Sequence, residues 1–354
     1  MDSLVAKLNG GFDLARGEIE LTVTQLLSNE IDEKTKVAFL DALHRKGETA
    51  EEILGFTQAL MKDAVDPEIE PASLPGPIID VGGTGGAGLD RFNVAPAVMF
   101  VLAAGGAVVV KHASRSGTSR VSTENVLEEL GVPIRLSPAD LKEALKRLGF
   151  GFVAAPDYHP AFRTIVELRR PLALENVTTV LNLVGPLLNP ARPRRQLIGV
   201  FSPRLPPVFA LVLRELGSDR ALIVHGLGDG EMGMDDVSTC GATTIAELEG
   251  DKITTAVLDV AWIGIPRATL DDLRATDARE SAATIERILS GKGAGPICDM
   301  VIANSAAGFV VAGLVRDLST GIHLAREQIA SGRALEKLRA AQNFSPQMSP
   351  VRSS

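Results

Sequence analysis

The chain is poor in residues that cross-link, stack or anchor. Its 354 residues include two cysteines, Cys240 and Cys298, one tryptophan and one tyrosine. Two thiols are too few for a disulfide scaffold or a thiolate metal site, and their scarcity suits a reducing cytoplasm. With few aromatic rings, aliphatic and small side chains must fill the interior, as in an α/β protein with buried parallel strands. Positive charge is not in excess. The net charge is −8, with acids spread along the chain, which argues against nucleic acid or an anionic membrane as the main partner. No basic segment leads into an apolar run at the N-terminus, so no signal peptide is expected. The longest apolar stretch, Val94 to Val110, is broken by Pro96 and Gly105-Gly106 and reads as no membrane span.

What is present divides in two. The first seventy or so residues read as helices only. Ile19, Val23, Leu26 and Leu27 fall on one helical face. A second helix is expected from Glu33 to Arg45, stopping at Gly47. Thr49-Ala-Glu-Glu52 is a capping box that opens a third. Pro67, Pro71, Pro75 and Pro77 mark a linker. Strands and helices alternate after it, and helices dominate again from Ala282. The expected division is a helical domain over 1–72, joined by about 165–188, and an α/β domain over 73–164 and 189–343. Residues 344–354 read as a disordered tail.

The chemistry concentrates in one unit. Pro77-Ile-Ile-Asp-Val81 is a short buried strand, and Gly83-Thr-Gly-Gly-Ala-Gly88 is a loop followed by a helix from Asn93 to Ala104. Ala107-Val-Val-Val-Lys-His112 is a second strand that ends in Lys111 and His112. Loop amides, a helix N-terminus and a lysine together make an anion site, best suited to phosphates. Gly83, Gly85 and Gly88 also fit the dinucleotide fingerprint G-x-G-x-x-G. That fingerprint needs an acid at the end of the second strand to hold a ribose diol. Here a cation stands there, and no carboxylate occurs between Asp90 and Glu124.

These residues, with Phe92-Asn-Val94, Tyr158-His-Pro-Ala161, Asn182-Leu-Val-Gly-Pro-Leu-Leu-Asn-Pro190 and Met234-Asp-Asp-Val-Ser238, resemble the anthranilate phosphoribosyltransferase family. The resemblance runs from about Gly17 to Ala341. It implies a nucleoside phosphorylase-like fold, with a small helical domain and a large α/β domain around a mainly parallel sheet. It also implies a homodimer paired through the helical domain. The activity implied is Mg2+-dependent transfer of phosphoribosyl from 5-phosphoribosyl 1-diphosphate (PRPP) to the amine of anthranilate, with release of pyrophosphate, in tryptophan biosynthesis. By the same resemblance PRPP would meet Gly83, Thr84, Gly85, Gly86, Asn93, Lys111, Ser119 and Thr123. The acceptor would meet His112, Ser114, His159, Arg169, Gly185 and Pro186, with Arg169 on its carboxylate. Asp235 and Asp236 would hold the metal. No nucleic acid or membrane partner is implied.

The chain departs from the family pattern at several of these places. Ala87 stands where the loop has aspartate, and Ala95-Pro96 where it has serine and threonine. Ser114 replaces an asparagine, Thr178 an arginine, and Asp236 a glutamate. Arg170, beside Arg169, leaves the register of the carboxylate contact open by one. A paralogue with another acceptor, or a non-catalytic binding module with a weakened diphosphate site, therefore stays open beside the transferase.

Overall fold

The computed structural model describes residues 1–85, 91–113, 121–174 and 177–346. Four helices precede the first strand: α1 (Asp2–Asn9), α2 (Arg16–Leu27), α3 (Glu33–Lys46) and α4 (Ala50–Leu60). The first was not expected. It is short and buries only Leu4 and Leu8, too few points to establish a period. The capping box of α4 forms as read: Thr49 Oγ1 accepts the Glu52 amide at 3.2 Å, and Glu52 Oε2 accepts the Thr49 amide at 2.9 Å.

The α/β part opens with β1 (Ile78–Gly83), α5 (Ala95–Ala104) and β2 (Val108–Ala113). Next come α6 (Thr123–Glu129), α7 (Pro138–Leu148), β3 (Phe150–Ala154), α8 (Ala155–Tyr158), α9 (Phe162–Leu174) and α10 (Val180–Leu183). They are followed by β4 (Arg195–Gly199), α11 (Leu205–Glu215), β5 (Arg220–Leu227), β6 (Gly233–Met234), β7 (Thr243–Glu249) and β8 (Lys252–Leu258). Four helices close the chain: α12 (Ala278–Arg287), α13 (Pro296–Ala312), α14 (Leu318–Ala330) and α15 (Arg333–Gln342).

The sheet order is β3-β2-β1-β4-β5-β7-β8, with β6 on β5. Strands β1 to β5 are parallel, while β6, β7 and β8 pair antiparallel. The mainly parallel sheet was expected, but the β7–β8 hairpin was not. Most of β8 is exposed, so its polar and apolar residues carry no inward-facing alternation. Helix α5 also begins two residues later than the sequence suggested: Asn93 Oδ1 accepts the Ala95 amide at 3.1 Å in a turn just ahead of the helix.

One apolar core lies between the sheet and helices α5, α12, α13, α14 and α15. A second joins the inner faces of α1 to α4 with Ile165, Leu168, Leu181, Leu187 and the opposite sheet face. The ordered chain reaches further than the tail reading allowed. Phe344 is buried in the first core, with the Arg147 guanidinium 5.8 Å from its ring centre. Among the described residues no single helix is long and apolar enough to cross a membrane.

Candidate active site

The chain order reverses between β1 and β4, and their carboxyl ends form the kind of crevice where open α/β sheets bind ligands. Thr84 pins the loop after β1 to the end of β4. Its amide donates to the Gly199 carbonyl at 2.9 Å, and its Oγ1 accepts the Phe201 amide at 3.2 Å. Gly85 follows at φ +62°, a left-handed backbone that glycine adopts without strain. Its amide donates to Asp235 Oδ2 at 3.1 Å. The glycine loop and the acidic pair, 150 residues apart, thus meet at one place.

Close approach makes that meeting possible. A Cβ at Gly199 would lie 1.7 Å from the Asp235 carbonyl oxygen, so only glycine lets the acidic turn settle on the end of β4. Asn304 on α13 secures the turn from the other side. It accepts the Val237 amide at 2.9 Å and donates to the Val237 carbonyl at 3.0 Å. Ser238 Oγ donates to the Leu227 carbonyl at 2.6 Å and accepts the amides of Cys240 and Gly241.

The acidic pair has a partner that sequence reasoning missed. Arg91 donates through Nη2 to Asp235 at 2.5 Å and through Nη1 to Asp236 at 2.6 Å, with its side chain only 11% exposed. Burial opposes the charge of Arg91, but Asp236 and Asp235 more than offset it, and its pKa rises. Burial pushes the Asp236 carboxyl up to about 6, against the pull of Arg91. An arginine just past a glycine loop carries no local signature. Nor do Asn304 and Gly199, although a lone polar residue in an apolar helix and a glycine closing a buried strand are each a hint of close contact.

Lys111 is fully enclosed and donates to the Val81 carbonyl. Burial lowers its pKa, while Asp80 and Asp236 pull it back up. Asp80, its neighbour on β1, accepts from Asn189 Nδ2 at 2.8 Å, and burial raises its carboxyl to about 6. The ammonium is therefore not the unpaired buried charge that a sequence reading would fear. Asn93 Nδ2 donates to Thr123 Oγ1 at 3.1 Å and to the Val121 carbonyl at 3.2 Å, tying the start of α5 to the start of α6. Ser122 Oγ accepts the Asn125 amide at 3.3 Å and caps α6.

The acceptor candidates gather on the other side of β2. His112 and His159 pack edge to face, ring centres 5.3 Å apart. His112 Nδ1 faces the Gly185 carbonyl at 3.2 Å, and His159 Nε2 faces the Leu188 carbonyl at 2.5 Å. A carbonyl only accepts, so each facing nitrogen carries its proton. Burial lowers His112 to about 3, helped by His159, and also lowers His159. Both rings are neutral at ordinary pH, and His112 Nε2 has no hydrogen-bond partner among the described residues. Pro186 lies close over Gly82, near the end of β1. Arg169 is half-buried on α9 and has no ion-pair partner among the described residues, Glu167 included. Burial lowers its pKa. Gly86, Ala87, Asp90, Ser114 and Ser119 lie outside the described residues, as does the side chain of Arg170.

Among the described residues no three His, Cys, Asp or Glu side chains converge on one point. Two adjacent carboxylates nevertheless suit Mg2+, which commonly takes one or two from the protein and completes its octahedron with substrate phosphates and water. The donor set fits a metal brought together with the diphosphate, and does not by itself form a cage.

The model of the glycosyl transferase family helical bundle domain matches residues 2–64, and that of the family's a/b domain matches residues 75–335. The chain is 38% identical over 349 residues to the anthranilate phosphoribosyltransferase of Methanosarcina acetivorans, covering 99% of this chain and 91% of that protein. It is 36% identical to the anthranilate phosphoribosyltransferase of Desulforamulus reducens, covering 96% and 95%. The solved anthranilate phosphoribosyltransferase of Thermus thermophilus superposes with a TM-score of 0.83 at 34% identity, over 96% of this chain and 98% of that one. The Saccharomyces cerevisiae enzyme, solved in complex with PRPP and Mg, superposes with a TM-score of 0.81 at 25% identity, over 97% and 96%.

Proposed function

This chain belongs to the anthranilate phosphoribosyltransferase family, and from that premise we propose that it transfers the phosphoribosyl group of PRPP to the amine of anthranilate, releasing pyrophosphate, as a step of tryptophan biosynthesis. The observation that carries the reading is the two-sided crevice. Gly85, Asp235 and Asp236 gather at the ends of β1 and β4, and a neutral histidine pair stands beside Gly185 and Pro186.

The nitrogen of anthranilate displaces pyrophosphate at the ribose C1, and negative charge grows on the leaving group. The protein contributes position and charge neutralisation more than covalent chemistry. Mg2+, when held by Asp235, Asp236 and the diphosphate, supplies charge neutralisation at the leaving oxygens. Asn93 and Thr123 hold the starts of α5 and α6 together at the PRPP side, so that two helix N-termini can share the phosphates. His112, with its pKa near 3, is too weak a base to keep a proton. Its Nε2 lone pair orients the amine instead, and the amine proton leaves to solvent. Arg169, without a partner among the described residues, is the cation for the anthranilate carboxylate.

The departures at Ala87, Ala95, Pro96 and Ser114 weaken this site without removing its frame. Lost donors cost about 1–3 kcal/mol each, so two or three together slow turnover roughly a thousandfold where nothing compensates. Purified protein mixed with anthranilate, PRPP and Mg2+ tests the reading. Metal-dependent loss of anthranilate fluorescence supports it. PRPP binding without that loss moves the chain to another acceptor, and no PRPP binding leaves the fold as a binding module.

The reading extends to the assembly. Phe12, Leu21 and Val166 expose apolar surface on the helical part at 65%, 53% and 36%, which supports a homodimer paired there. The shared core of 1–72 with 165–188 supports treating them as one domain. Two unpaired buried thiols suit the cytoplasm. Light scattering that finds a monomer at micromolar concentration would remove the dimer.

A further inference from the structure

Arg91 has no role in the reading above, although its side chain is largely buried in the crevice and paired twice. It donates to both carboxylates of the acidic pair, at 2.5 and 2.6 Å. Among the described residues these are the adjacent carboxylates at the ends of β1 and β4, and Lys111 is committed to the Val81 carbonyl. A planar guanidinium that bridges two carboxylates is equally suited to bridging phosphate oxygens. A divalent cation and Arg91 therefore compete for the same oxygens, and a diphosphate offers Arg91 somewhere else to go.

We propose that Arg91 is a resident counter-ion that keeps divalent metal off Asp235 and Asp236 until the diphosphate arrives and takes the guanidinium over. Metal and diphosphate then bind as a coupled pair, each raising the affinity of the other by the same factor. The inference rests on the reading that the acidic pair shares a metal with a diphosphate. It adds a device that makes this sharing obligatory.

The test is Mn2+ binding to the full chain without PRPP, read from the electron paramagnetic resonance signal of free Mn2+. Wild-type protein should bind weakly, and Arg91→Ala at least tenfold more tightly. Arg91→Lys, which keeps one charge for one carboxylate, should fall between them. Because Arg91→Ala leaves two buried carboxylates facing each other, it could fail to fold, and Arg91→Lys then decides alone with a gain of about threefold. Folded variants should also gain more thermal stability from Mn2+ than wild type does. Unchanged Mn2+ affinity in a folded variant overturns the proposal. The fluorescence assay separates the two claims. Tighter Mn2+ binding by the variants, with no turnover by wild type, upholds the counter-ion and sinks the transferase. Turnover with unchanged Mn2+ affinity does the reverse.

Discussion

Around Asp235 and Asp236 the buried groups are charged and lie within one another's field, whereas the His112–His159 pair is neutral and bonded to backbone carbonyls. Lys111 and His112 are neighbours on β2 and belong to opposite sides, because successive strand residues point to opposite faces. Lys111 lies within the field of Asp80 and Asp236 and donates to a carbonyl. His112 meets another imidazole and the Gly185 carbonyl. Burial acts on both. Where it meets a counter-charge, as at Arg91, the ion persists. Where it meets only carbonyls, the proton is lost and a ring with a free lone pair remains. The proposed binding of a polyanion beside an aromatic ring would use both outcomes within one crevice.

The contrast breaks most visibly at the acidic pair. Replacing Asp235 and Asp236 by asparagine should lower turnover about a thousandfold or more in the fluorescence assay, because charge neutralisation at the leaving group is lost. Arg169→Ala should weaken anthranilate by about tenfold or more and leave PRPP binding nearly unchanged, since a charge-assisted hydrogen bond contributes about 1.5–3 kcal/mol. Calorimetry with each ligand separates them, and equal loss of both would remove Arg169 from the acceptor side.

Titration sharpens the same comparison. Asp236 rises to about 6 through burial, so its carboxylate is protonated and lost to metal and Arg91 as the pH falls below that value. The turnover profile should carry an acid limb near pH 6. His112, near 3, adds no limb between pH 5 and 8, and His112→Phe should keep the limb while raising the anthranilate KM. Disappearance of the limb in that variant would show that the histidine, and not the carboxylate, titrates there.

The smallest effect lies where burial meets only partial pairing. Glu48 is buried, 3.6 Å from the half-exposed Arg204, and burial pushes its carboxyl up to about 7. A raised carboxyl favours folding while protonated, so that contribution is complete below about 4.5 and disappears as pH rises through about 7. Glu48→Gln should therefore stabilise the protein at pH 8, by on the order of 1–2 kcal/mol, and change little at pH 4.5. Thermal melts at the two pH values check it.

Much of this was legible in the chain. A buried strand, a glycine loop and a helix can be read because their residues are contiguous and their signals local. The capping box at Thr49 and Glu52 was legible for the same reason. The β7–β8 hairpin was not, because an exposed edge strand owes nothing to inward-facing alternation. Arg91 was not, because its partners lie about 144 residues along the chain.

The sequence by itself determined which chemistry was available: glycine amides at a strand end, Lys111 and His112 closing another, and two adjacent carboxylates at Asp235 and Asp236. Side-chain type and local backbone preference suffice for that. Only the tertiary structure decided how the charges combine. The parallel register of β1 on β4 and the bare backbone of Gly199 bring the acidic turn against the glycine loop. That approach places Arg91 on both carboxylates, because electrostatic pairing depends on distance through space and not on separation along the chain.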